Sequence, residues 1–291
     1  MVATPSALAE AFAALACLEA TAWRSGDPAL LRATAEQCGR LLDVAPSAPP
    51  ADLPGATELA DDTRAGSLAF ASQFCLDVAS LDELVRVVMT EALGPAAFDY
   101  VQALYVFDYA PRVRAVLDAL GDATPEAHHD AAEPATTLWA ALDAFLRSVG
   151  RLRRLDAVTS ELVRLRGARQ HDCRLCQSLR SRSAIRAGAD DALFALADHP
   201  ASRVLTHRQR AALELTDAVI WHPARLDPDL VAAARRELDP DERIELVLDV
   251  MRNAANKIAV ALRADAPHVP SGVEIYDIDD EGDAVYGLSL P

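Results

Sequence analysis

The chain is poor in lysine, in aromatic residues, in paired cysteines and in long apolar runs, and each shortage removes a class of protein. Of 28 basic side chains only Lys257 is a lysine; against 44 acidic ones they leave a net charge of −16 over 291 residues. A field of that sign repels phosphate backbones and anionic lipid, which argues against nucleic acid and membrane surfaces as partners. No run of about 18 apolar residues offers a membrane span. The opening MVATPSALAEAFAAL has no basic flank of the kind a signal peptide carries, so the cytoplasm is the expected location. Five cysteines, an odd number and scattered apart from one pair, do not make a secreted disulfide framework. Aromatics at 5% and scarce β-branched alternation argue against a sheet protein.

What is present is helix. Ala and Leu dominate the apolar positions at helical spacing, and hydrophobic residues make up 51% of the chain, enough for a real core. Asp27-Pro28, Asp227-Pro228 and Asp239-Pro240 each put an acceptor before a proline whose missing N–H costs nothing at the first helical position. Ser80 with Glu83, and Thr206 with Gln209, have the spacing of capping boxes. The expected fold is all-α. Residues 43–56, with four prolines, read as an irregular loop, and the small, polar 121–136 as a linker. The tail from 266, with Val273, Ile275 and Ile278 among acids, reads as an extended arm suited to a neighbouring subunit.

At a shift of 145, residues 92–117 fall on 237–262: Leu93 on Leu238, Pro95 on Pro240, Arg112 on Lys257, Val113 on Ile258 and Leu117 on Leu262. This reads as an internal repeat, with segments 1–120 and 137–265 as two drifted copies of one helical unit and 266–291 as the arm.

Cys173 and Cys176 form the close pair. With Asp172 as the N-cap they fall in the first turn of a helix, where partial positive charge favours a thiolate. Arg174, Arg180 and Arg182 crowd the same stretch. A second thiol three residues away can resolve an oxidised first one as a disulfide. Two plain core cysteines, or half of a zinc site lacking its other ligands, are the competing readings. Cys17, Cys38 and Cys75 stand alone in apolar stretches and read as core. Tyr100, Tyr105, Phe107 and Tyr109 read as core or interface, Trp221-His222 as a pocket mouth or packing, and Asn253 and Asn256 as hydrogen-bonded inside the bundle.

Glu161 precedes Cys173 by twelve residues, in ELVRLRGARQHDCRLCQSLRSRSAIRAGADD. With NAANKIAVAL and APHVPSGVEIYDID further on, the chain here resembles the carboxymuconolactone decarboxylase and alkylhydroperoxidase D-like family. That family's signature is Glu, eleven residues, CxxC, three residues, His. The resemblance covers residues 138–278, and 10–118 more faintly. It implies two tandem helical domains, with Cys176 as the peroxidatic thiol, Cys173 as the resolving one and Glu161 as a relay carboxylate. Its implied substrate is a hydroperoxide or a disulfide, with the cysteine pair re-reduced by an external dithiol or a thioredoxin-like protein and with no metal, flavin or nucleotide. It also implies a homo-oligomer, a trimer before a dimer.

The family's His position holds Arg180, and the slot between the cysteines holds Leu175. Arginine stays protonated and cannot shuttle a proton. Read four residues after Cys176 on one helix face, Arg180 would pair with Glu161 and keep positive charge beside the thiol; a surface salt bridge is the plainer reading. His171 is the nearest substitute base. Two other functions stay open: a cofactor-free lyase or isomerase of the decarboxylase branch, and a redox-sensing or scaffold protein without catalysis.

Overall fold

The computed structural model describes residues 6–55, 60–122 and 133–290. Most of the expected linker, 123–132, lies outside the described residues. The protein is all-α with one small sheet. In chain order the elements are α1 (Ala7–Ala22), α2 (Pro28–Leu42), α3 (Asp61–Asp77), α4 (Glu83–Leu93), α5 (Ala97–Leu120), α6 (Leu138–Gly150), α7 (Ala157–Gln170), α8 (Arg174–Gln177) and β1 (Leu179–Ser181). They continue with α9 (Arg182–Arg186), α10 (Asp191–Ala195), α11 (His207–Trp221), α12 (Pro228–Glu237), α13 (Pro240–Ala254), α14 (Asn256–Ala261), β2 (Glu274–Ile278) and β3 (Ala284–Val285). No helix among the described residues is long and apolar enough to cross a membrane.

Local chemistry sets the helix starts. Asp27, Asp227 and Asp239 cap α2, α12 and α13 ahead of their prolines. Thr206 and Gln209 close the expected capping box on α11, and Asp239 with Glu242 closes another on α13. Ser80 does not cap α4. It ends a 3₁₀ turn, and Asp82 is the cap, because its carboxylate reaches the amides of Leu84 and Val85.

Helices of both sequence halves close one hydrophobic core. It runs from Phe12 and Leu15 of α1 through α5 to Leu246 and Met251 of α13. α1 packs on α6, and α13 packs on α5, α6, α7 and α11. A smaller cluster, including Leu162, Leu165, Phe194 and Leu213, fills the space between α7 and α11.

At the centre sits the carboxylate of Asp108, on α5 and fully buried. Arg112, one turn on, donates to its Oδ1 from Nε (2.9 Å) and Nη2 (2.6 Å). Lys257 of α14 donates to Oδ2 at 2.6 Å. The two positions that the expected repeat would pair, Arg112 and Lys257, meet at one carboxylate. Arg112 also donates to the carbonyls of Cys75 at the end of α3 and of Val219 and Ile220 at the end of α11. Burial pushes the Asp108 pKa up, but the two cations outweigh it and hold the carboxyl below its usual range.

The C-terminal arm is extended as expected, but it packs on its own chain. β2 runs parallel to β1 with Ser181 opposite Tyr276, and antiparallel to β3 with Asp277 opposite Val285. The residue it buries is Tyr276, not the apolar set read from the sequence; Val273 is 47% exposed. Gly282 lets the arm close. Its φ is +88°, and a Cβ there would lie 2.1 Å from the Arg147 carbonyl oxygen.

Removing the central carboxylate strands two buried cations. Asp108→Ala should lose about 3–5 kcal/mol in urea denaturation, as expected when one partner of a buried ion cluster is deleted. A loss below about 1 kcal/mol would show that the cluster does not organise the core.

Candidate redox site

α7 ends at His171. Asp172 then takes a left-handed turn (φ 49°), with the Cys173 amide bonded back to the Ala168 carbonyl at 2.9 Å. Asp172 therefore closes α7 and does not cap the next helix. Cys173 is itself the cap of the four-residue α8, its Sγ accepting from the Cys176 amide at 3.2 Å. The sulfurs of Cys173 and Cys176 are joined, with Cα atoms 5.3 Å apart, inside the usual range for a disulfide. Cys173 is buried and Cys176 is partly exposed. Asp265 pins this turn from across the fold: its carboxylate takes the Arg174 amide (2.9 Å) and guanidinium (2.6 Å).

Because α8 stops at Gln177, Arg180 is not on a helix with Cys176. It lies on β1, donates to the Gln177 and Leu179 carbonyls at 2.8 Å each, and faces Asp191 and the Phe194 ring. Neither the expected pairing with Glu161 nor a position beside the thiol is formed. Arg182, one residue beyond β1, pairs loosely with Asp277 at 3.5 Å.

The partner of Glu161 is Arg164. It stands three residues after Glu161 on α7 and grips it through Nε (2.7 Å) and Nη2 (2.8 Å). Its Nη1 reaches the Cys176 carbonyl at 2.8 Å. Glu161, 2% exposed, also accepts from the Ser181 amide (3.1 Å) and the Tyr276 hydroxyl (3.0 Å). Both its oxygens are fully engaged. It holds α7, β1 and β2 together and orients Arg164.

The group beside the Cys176 sulfur is the amide of Asn256, with Nδ2 to Sγ at 3.6 Å. With its NH₂ turned to sulfur, Asn256 offers Oδ1 to His171 Nδ1 at 2.9 Å. An amide oxygen only accepts, so Nδ1 carries the ring proton and Nε2 accepts from the Tyr109 hydroxyl at 3.1 Å. Burial and the nearby Lys257 push the His171 pKa down to about 3. His171 is thus neutral, fully bonded and one residue removed from the thiol. It positions Asn256 and is not a base for Cys176.

Cys176 opens on a cleft of about 270 Å³, walled by Arg164, Arg252, Asn253, Asn256, Tyr276 and Tyr286 among others. A second cleft of about 220 Å³ shares Arg164, Arg252, Asn253 and Tyr276, and carries Glu245 and Asp249. Burial, then Asp249, raises Glu245 to about 7; burial raises Asp249 to about 6 against Arg252 and Arg153. Among the described residues no group of three or more His, Cys, Asp and Glu side chains is arranged to hold a metal ion. Trp221 lines a separate hollow that shares no residue with either cleft.

Sequence reading missed Arg164, Tyr276 and the Glu245/Asp249 pair, and placed Asn256 only inside the bundle. The i,i+3 spacing of Glu161 and Arg164, and the i,i+4 spacing of Glu245 and Asp249, were the signals available.

The depressed His171 pKa has a signed consequence. Below pH 6.5 the unfolded chain takes up a proton that the folded chain refuses until about pH 3. Its contribution to stability should therefore fall by about 1.4 kcal/mol per pH unit across that window. The wild-type advantage over His171→Gln in urea denaturation should shrink by about 2 kcal/mol between pH 6.5 and 5. The opposing slopes of Glu245 and Asp249 are common to both proteins and cancel. A difference independent of pH would contradict the buried, neutral imidazole.

No family model matches the chain, and no solved structure matches it. Two proteins of Mycobacterium tuberculosis do: "Uncharacterized protein Rv2313c" of strain ATCC 25618 / H37Rv and "Uncharacterized protein MT2376" of strain CDC 1551 / Oshkosh. Each is 45% identical over 224 residues, covering 75% of this chain and 79% of the relative. The chain belongs to the same family as these two mycobacterial proteins.

Proposed function

We propose that the protein is a thiol-dependent oxidoreductase of the alkylhydroperoxidase D-like type, working through Cys176 and Cys173. The observation that carries this reading is the joined cysteine pair at a cleft, with Cys176 partly exposed and Cys173 buried. A nucleophile must meet its substrate, whereas a resolving thiol needs only to meet the nucleophile. In the reduced protein the Cys176 thiolate attacks one oxygen of a hydroperoxide. The S–O bond forms, the O–O bond breaks, and the alkoxide leaves as an alcohol with a proton from solvent. The Cys173 thiol then attacks the Cys176 sulfenic acid; water leaves and the disulfide forms. An external dithiol or thioredoxin-like protein restores both thiols by exchange, and a disulfide substrate would enter by the same exchange.

The residues around Cys176 suit stabilisation of a thiolate more than proton relay. The Asn256 amide donates toward the sulfur, and the Arg164 and Arg252 guanidinium groups wall the cleft. None of these accepts a proton. Thiolate then arises by loss of the proton to water, which favours slow peroxidation or thiol–disulfide exchange over rapid turnover. A homo-oligomer, trimer first, belongs to the same proposal by resemblance, and a cytoplasmic site of action by the odd, scattered cysteines.

One observation favours a second reading. Glu245 and Asp249, with pKa values raised to about 7 and about 6 in the adjoining cleft, are the kind of pair that serves acid–base chemistry near neutral pH. A cofactor-free lyase or isomerase would use them and not the cysteines.

With tert-butyl hydroperoxide and a dithiol, the wild type should turn over with a rate that rises with pH through one ionisation. Cys176→Ser should abolish turnover, and Cys173→Ser should trap a sulfenic acid on Cys176. Turnover that survives Cys176→Ser would overturn the redox reading. Activity on a lactone-like acid that survives both serine variants and is lost in Glu245→Gln would install the second one.

A further inference from the structure

Cys38 and Cys75 take no part in this site. They come from neighbouring helices, α2 and α3, which pack side by side. Read from the sequence as isolated core residues, they are buried but not isolated: their Sγ atoms lie 3.1 Å apart. A disulfide bond is about 2.05 Å long, so about 1 Å of approach separates the pair from a bridge.

The pair is not sealed off from solvent equally on both sides. A cleft of about 260 Å³, which shares no lining residue with the Cys176 cleft, includes Cys75 in its wall beside Leu76, Ile220, Trp221 and His222. Cys38 does not line it. A small molecule in this cleft meets Cys75, whose sulfur lies 3.1 Å from that of Cys38. The α3 backbone is held in place there, since the Cys75 carbonyl accepts from the anchored Arg112 at 3.0 Å.

We propose that Cys38 and Cys75 are a second oxidation site, which a small hydroperoxide entering this cleft converts to a disulfide joining α2 to α3. Cys75 sulfur attacks one peroxide oxygen: the S–O bond forms, the O–O bond breaks, and the thiol proton leaves with the departing alkoxide or hydroxide. Cys38 sulfur then attacks the Cys75 sulfenic acid. The S–S bond forms, the S–O bond breaks, and the Cys38 proton leaves with the hydroxyl as water. Two thiols are oxidised and one peroxide is reduced.

The bridge forms slowly. Burial, the Cys38 contact and the charge of Asp108 push the Cys75 thiol well up, and Lys257 offsets this only in part. Little thiolate is then present, and the reaction is held back in proportion. The site therefore responds to sustained oxidant. The bond would tie together the two ends of the stretch that carries the proline-rich loop.

The inference does not rest on chemistry at Cys173 and Cys176, and the test separates the two. Wild type and a Cys173→Ser/Cys176→Ser double variant are treated with hydrogen peroxide in native buffer, quenched in acid, alkylated under denaturing conditions and mapped without reduction by mass spectrometry. A Cys38–Cys75 linked peptide should accumulate in both proteins, at a rate at least about tenfold below that of the Cys173–Cys176 bridge in wild type. In Cys38→Ala a sulfenic-acid probe should instead label Cys75. Recovery of Cys38 and Cys75 as free thiols, a bridge from either one to Cys17, or a Cys38–Cys75 bridge that forms only in urea would each overturn it. A linked Cys38–Cys75 peptide with no Cys173–Cys176 bridge in wild type would leave this inference standing and remove the proposed function.

Discussion

The structure depends on one buried carboxylate. Asp108 has lost all its solvent, and only Arg112 and Lys257 together make that tolerable. The cations come from the two sequence halves, so satisfying Asp108 fixes α5 against α14. Arg112 spends its remaining N–H groups on the ends of α3 and α11. Lys257 is adjacent in sequence to Asn256, the residue whose amide faces the Cys176 sulfur. The charge of Lys257 also helps to keep His171 neutral, and His171 Nδ1 holds the Asn256 Oδ1 on the side away from sulfur. Packing at the centre of the core is thereby transmitted to the site in a few contacts.

A second fixed point is Glu161. Four donors from α7, β1 and β2 converge on it, and through it the C-terminal arm becomes a wall of the cleft. Tyr276 contributes twice, by its hydroxyl on Glu161 and by its ring against the Arg164 guanidinium at 5.1 Å. The arginines at the cleft, Arg147, Arg164 and Arg252, are each tied to a carbonyl or a carboxylate. The charge pattern around Cys176 is built by folding and is not a property of one segment.

Legibility in the sequence follows the range of the forces involved. The all-α class, the Asp-Pro helix starts and the Thr206 capping box rest on contacts within four residues, and they were readable. The CxxC pair was readable for the same reason. Arg180 was misplaced because the argument extended a helix that ends at Gln177, so four residues no longer meant one face. Asp172 was misread as an N-cap because the same residue type closes α7 in a left-handed turn. Arg164 was overlooked although its spacing to Glu161 is local, since its reach to the Cys176 carbonyl depends on the turn between them. Asn256, Tyr276 and the meeting of Cys38 with Cys75 are tertiary: separations of 80, 115 and 37 residues leave no periodic trace. The arm's alternation pointed to an extended segment but not to its register, and the register decided that Tyr276 was the buried residue.

The central claim is that Cys176 is a nucleophile whose ionisation is set by Asn256. The most direct measurement is site-resolved alkylation of the reduced protein across pH, in wild type and in Asn256→Ala. Cys176 should ionise below the ordinary thiol value of about 8.5 and below Cys173, and its pKa should rise when the Asn256 amide is removed. A Cys176 thiol that titrates at or above that value in both proteins would contradict the account.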